Sequence, residues 1–87
     1  MDEKEKLHIV IKMLNHRKNL DEFRYGVMRL FGCQETGSYF EQIERMFEDY
    51  MTNTAEILNC ERETLAWFIL NGNETMTIEY FVRAKCK

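Results

Sequence analysis

The chain has 87 residues and a mass of 10.6 kDa, which allows one domain with one small core and excludes multi-part machines. Its 45% hydrophobic, 13% aromatic and 31% charged residues are the composition of a folded globule, not of a disordered segment. Net charge is −3, proline is absent and there are four glycines, which excludes a turn-rich β-sandwich and points to helices on short connections.

In chain order, the first predicted helix runs from Glu3 to Arg17, with Leu7, Val10, Ile11 and Leu14 as its buried stripe and Ile9 and Met13 widening it. A second helix is expected after Asn19, whose side chain stands three positions before Glu22 in the pattern of an N-cap. Leu20, Phe23, Val27, Leu30 and Phe31 line one of its faces, and Gly32 stops it. Gly26, inside that helix, is read as a place where a neighbouring helix comes close. Gln34 to Ser38 reads as a loop. Ser38 and Glu41 then form a capping box before Tyr39, Phe40, Ile43, Met46, Phe47, Tyr50 and Met51, which recur at helical spacing and continue through Thr54, Ile57 and Leu58. Residues 38–58 read as one long helix or as two broken near Asn53. Asn59-Cys60 is a turn, and a further helix runs from Glu61 to about Leu70 with Leu65, Phe68 and Ile69 inward. The tail at 76–84 fits either a strand, by the alternation of Met76, Ile78, Tyr80 and Val82, or a helix, which is preferred because a lone strand lacks a partner. The fold class expected is therefore mostly α: a single domain, 1–87, built as a compact bundle of four to six short helices with a C-terminal strand or helix.

No apolar run reaches the roughly 20 residues that span a bilayer, and no signal-peptide pattern is present. Cys33, Cys60 and Cys86 are widely spaced and odd in number, which reads as reduced thiols in a cytoplasmic protein rather than a disulfide frame. The sequon at Asn73 has no meaning in that compartment. His8 and His16 stand about 80° apart around a helix and two turns along it, and no cysteine pair has zinc-knuckle spacing, so no metal and no cofactor is expected. Nucleophilic catalysis requires a thiol or hydroxyl beside an oriented base, and no such pairing is visible. The chain is read as not an enzyme.

Residues 54–70 resemble the helix-turn-helix of bacterial and phage regulators. Ala55 takes the place of the small residue of the first helix and Leu58 the apolar residue three later. Asn59 and Cys60 take the turn positions, and Leu65 and Phe68 the apolar positions of the second helix. The resemblance implies a DNA-binding regulator whose second helix enters the major groove. Arg62 is the one base on the face that would do so, beside Glu61, Glu63, Ala66, Trp67 and Leu70. Arg17, Lys18, Arg83 and Lys85 would supply phosphate contacts if the chain ends met.

Charge layout favours a protein partner instead. Residues 19–80 hold twelve acids against four arginines, whereas both ends are net basic. An acidic body is a poor start for nucleic acid, whose affinity comes mainly from phosphate neutralisation. Glu41, Glu44, Glu48 and Asp49 are expected to present a negative stripe to a basic partner, with Trp67 as aromatic anchor. The aromatic and methionine content also suits a homodimer. In size and composition the chain resembles small accessory proteins of phages and mobile elements, including inhibitors of host defence nucleases and adaptors, and that resemblance implies a binding role.

Overall fold

The computed structural model describes residues 1–31, 38–72 and 76–87, without the side chains of Val27, Phe31, Ser38, Tyr39, Phe40 and Gly72. Helix α1 (Glu3–Phe31) is one unbroken helix of 29 residues. Asp2 caps it, its Oδ1 accepting from the Glu5 N–H at 2.8 Å, and Glu3 and Glu5 complement the positive end of the dipole. The expected break between Arg17 and Asn19 does not occur. Neither glycine nor proline stands there, Leu20 is buried, and Arg17 pairs with Asp21 one turn on at 3.3 Å, so Asn19 is an exposed interior residue rather than a cap. Ile11 is exposed, which leaves Leu7, Ile9, Val10, Met13 and Leu14 of the predicted stripe against the core.

Helix α2 (Ser38–Leu58) is likewise continuous. Asn53 stays helical, flanked by Thr52 and Thr54, whose hydroxyls donate to the Glu48 and Tyr50 carbonyls at 3.0 and 2.8 Å. The helix ends in a left-handed cap at Asn59, φ 56. There the Cys60 N–H donates to the Ala55 carbonyl at 3.0 Å and the Asn59 N–H to the Glu56 carbonyl at 3.1 Å, the Schellman arrangement that satisfies the last carbonyls. Helix α3 (Arg62–Trp67) follows and widens into a π-helical turn over Phe68–Gly72. Helix α4 (Ile78–Lys85) begins at Thr77, whose Oγ1 accepts from the Tyr80 N–H. It is a helix because Phe81 and Val82 both point inward, which an alternating strand does not allow. Among the described residues the fold is all α, with four helices and no strand: residues 38–58 form the single long helix of the two alternatives, and α1 joins the two shorter helices expected over 3–31.

Helices α1 and α2 lie antiparallel, with Arg24 against Glu44, Arg17 over Phe47 and His16 against Tyr50. The α3–π-turn–α4 layer covers one face of this pair near the chain ends. Arg83 bonds Glu3 at 2.8 Å, Arg62 Nε donates to the Thr52 hydroxyl at 2.9 Å, and Phe68 stacks on Phe81 with centroids 4.3 Å apart. The core sits where all four elements meet: Val10 and Met13 from α1, Met51, Ala55 and Leu58 from α2, Leu65, Phe68 and Ile69, then Phe81, Val82 and Cys86. Beyond Leu20 the two long helices continue as an arm, and the molecule measures 44 × 23 × 18 Å. Gly26 lies in that arm with nothing within 4 Å of where a Cβ would stand, so it accommodates no close helix. Gly32, Cys33, the 34–38 loop up to its last residue, and the Asn73 sequon fall outside the described residues, as does the Ser38 side chain of the capping box.

Candidate functional site

The face of the α1–α2 pair that α3 leaves open carries an apolar groove of about 420 Å³. From α1 it is lined by His16, Asn19, Leu20 and Phe23, and from α2 by Ile43, Met46, Phe47 and Tyr50. The geometry follows from helical spacing. At 100° per residue, 16, 19, 20 and 23 share one side of α1, and 43, 46, 47 and 50 share one side of α2. Leu14, Lys18 and Asp21, which line a separate cavity with Ile69 and Leu70 of the π-turn, point to the opposite side of α1, and Arg17 stands between the two sides. Met46 is 71% exposed and, further out on α1, Leu30 81%. Large apolar side chains are seldom left in water in a cluster without an interaction to make.

An ionic cluster fixes the groove's two walls. Glu44 forms an ion pair with Arg17 (3.6 Å) and accepts from Arg24, and Arg17 also reaches Asp21 and lies 5.5 Å over the Phe47 ring. His16 meets Tyr50 edge-on at 5.1 Å, bridging the groove floor. The arginines on α1 thus hold the α2 register that sets Phe23 beside Ile43 and Met46.

The predicted acidic stripe is divided by this arrangement. Glu41, Glu48 and Asp49 are exposed on the outer flank of α2, with Arg45 among them, whereas Glu44 turns inward and its charge is compensated by the arginines of α1. Trp67 is 49% exposed. It lines a different cavity with Glu63, Thr64, Met76, Phe81 and Lys85, and none of these borders the groove. The structure therefore does not bring Trp67 to the groove, whose own aromatics are Phe23, Phe47 and Tyr50. Those residues were visible in the sequence as a helical stripe, but only the register of α1 against α2 distinguishes groove from core.

The basic residues do not gather. Arg83 is bonded to Glu3 at the start of α1, and the Glu3 carboxylate raises the hold of that guanidinium on its proton. Arg17 and Lys18 lie about 21 Å further along the same helix. Arg17 is engaged with Asp21 and Glu44, Arg62 with Thr52, and Lys18 and Lys85 are exposed. In the 54–70 segment Ala55, Leu58, Leu65 and Phe68 are buried around the Asn59 turn, but the first helix is only the end of α2 and the second gives way to a π-turn after Trp67.

Among the described residues no three His, Cys, Asp or Glu side chains come together to hold a metal ion, and no helix is long and apolar enough to cross a membrane. His8 is exposed on α1. Compared with protein-family models, with curated proteins and with solved structures, the chain gives no match.

Proposed function

We propose that this chain is a non-enzymatic binding module that receives an amphipathic, basic-flanked helix of a protein partner in the α1–α2 groove. The observation that carries this reading is the open apolar groove, lined from both long helices and with Met46 exposed at its rim; Glu41, Glu48 and Asp49 stand on the other side of α2. A helix laid in such a groove inserts side chains at i, i+3/i+4 and i+7. Lysines or arginines of that helix would be drawn by the α2 acids at long range, across the width of α2, raising the association rate more than the affinity. A small inhibitor or adaptor of the phage or mobile-element kind works by occupying a partner's surface in this way, and no reacting group is required of it.

The test uses a synthetic helical peptide with a Leu/Phe stripe and a lysine edge, titrated into isotope-labelled protein and followed by NMR. Shifts confined to 16–23 and 43–50 are expected, together with affinity that falls as salt rises. Met46→Ala and Phe23→Ala should each weaken binding about tenfold or more, the loss typical of a central anchor. Reversing Glu41, Glu48 and Asp49 to lysine should abolish the salt dependence. Glu44 is left out of that set because its reversal would break the arm. Equal binding of a sequence-scrambled peptide, or self-association of the chain that Met46→Ala abolishes, would overturn the reading.

The second reading is a DNA-binding regulator using 54–70, supported by the helix-turn-helix resemblance together with the left-handed Asn59 turn and the exposure of Trp67 and Leu70 beyond it. Retardation of random duplex at about 50 mM salt, where phosphate affinity is near its strongest, would favour it. Free migration of the duplex there removes it.

A further inference from the structure

Two of the three cysteines, far apart in sequence, meet in the fold. Cys60 follows Asn59 in the turn that closes α2, and Cys86 follows α4 in extended backbone, φ −101 and ψ 108. Both are free thiols, close enough for each to shift the other's hold on its proton. The backbone brings them into register as well: the Lys87 N–H donates to the Asn59 carbonyl at 3.4 Å. That bond joins the residue after one cysteine to the residue before the other. The turn after α2 and the end of α4 therefore run side by side at the two cysteines. A disulfide requires a Cα separation of roughly 4.4–6.8 Å. On the far side, the Cys86 carbonyl accepts from the Lys6 ammonium of α1 at 3.4 Å, which holds the chain end in place.

We propose that Cys60 and Cys86 are a redox pair that closes to an intramolecular disulfide, clasping the turn after α2 to the end of α4. Cys60 is half-buried and borders an open polar cavity with Glu61, Lys85 and Lys87, whereas Cys86 is buried, so Cys60 meets the oxidant first. With a disulfide oxidant such as oxidised glutathione, the Cys60 thiolate attacks one sulfur, forming a mixed disulfide and expelling one glutathione thiolate. The Cys86 thiolate then attacks the Cys60 sulfur, breaking its bond to glutathione and expelling the second. Two protein thiols are oxidised, one glutathione disulfide is reduced to two thiols, and the two protein protons end on the leaving thiolates. Burial pushes both thiols up, Cys86 to about 12. The closure is therefore slow at neutral pH and quickens as pH rises, since the thiolate is the attacking species. Once formed, the bond closes a loop containing α3, the π-turn and α4 and restricts the unfolded chain.

The test takes the whole chain, prepared reduced and then incubated with oxidised glutathione at pH 8. The expected product is a monomer lighter by two hydrogen atoms whose tryptic fragments 46–62 and 86–87 are joined, and whose Tm lies above that of the reduced protein. Cys86→Ser should instead accumulate the glutathione adduct on Cys60. Because a cysteine variant that fails to fold would be uninformative, the fragment map of the unaltered chain decides. A link from Cys33 to either of the others, covalent dimers, or persistent glutathione adducts on the unaltered chain would overturn the proposal.

Discussion

Glu44 is the residue on which the arm depends. Its side chain is about 70% screened from water, and it faces two guanidinium groups that are buried to a similar degree. Exposed ion pairs contribute about 0–1 kcal/mol, whereas breaking a fully buried pair costs about 3–5 kcal/mol because a charge is left uncompensated. Glu44→Gln should fall between these limits, at about 1–2 kcal/mol in urea denaturation, while Glu41→Gln on the exposed flank should stay within about 0.5 kcal/mol. Equal effects of the two substitutions would mean that the α2 acids are interchangeable, as sequence alone portrays them. Cys86 carries a different electrostatic consequence. Its thiol in the fold is raised to about 12 from an ordinary 9.0, first by burial and then by the neighbouring Cys60. A raised folded-state value leaves stability intact below the unfolded value and withdraws it as pH climbs toward the folded one. The reduced protein should thus lose Tm between about pH 9 and 12 more steeply than Cys86→Ala, whose absolute Tm is lower but whose slope lacks this contribution.

Each long helix contains a sequence signal that proved ambiguous. Asn19 and Asn53 both have a glutamate three positions on, which is the pattern of a start signal, yet both are helical interior residues. A cap residue starts a helix only if the chain before it leaves helical geometry, and nothing before Asn19 or Asn53 forces that: neither segment has proline or glycine at the junction. Burial of Leu20 and of Thr54 then favours continuity on both sides. The stop at Asn59 was legible because asparagine tolerates the left-handed conformation that a C-terminal cap requires. The helix over 78–85 was legible as one of two periods, and only the burial of adjacent Phe81 and Val82 separates them. Gly26 tests the same reasoning about α1. It sits in a helix interior, open space surrounds it, and glycine there costs about 0.5–1 kcal/mol relative to alanine. Gly26→Ala should therefore stabilise the protein by about that amount and raise its helicity by circular dichroism. A loss of stability would mean that something packs on this stretch of α1 after all.

At the scale of the molecule, the two ends differ in how their helices are covered. Near the chain termini four elements enclose Met13, Leu58, Phe68 and Phe81, but past Leu20 the described residues of α1 and α2 have chiefly each other. The acidic character of the molecule was readable from composition. The groove was not, because it exists only where Phe23 lies opposite Ile43 and Met46, a register set by Arg17, Arg24 and Glu44 rather than by periodicity. Local stability follows buried apolar contact, and segments with little of it open without global unfolding. Backbone amides of 20–30 and 41–47 should therefore exchange with deuterium faster than those of 10–16, 52–58 and 79–84, although all are helical and hydrogen-bonded. The lysine-edged probe peptide should slow the first group and leave the second unchanged, since ligand occupancy stabilises only the opening events that destroy its site. Uniform protection along α1 in the free protein would show that the arm is held by as much packing as the base. The open groove would then be a rigid surface feature, and a partner would not be needed to order it.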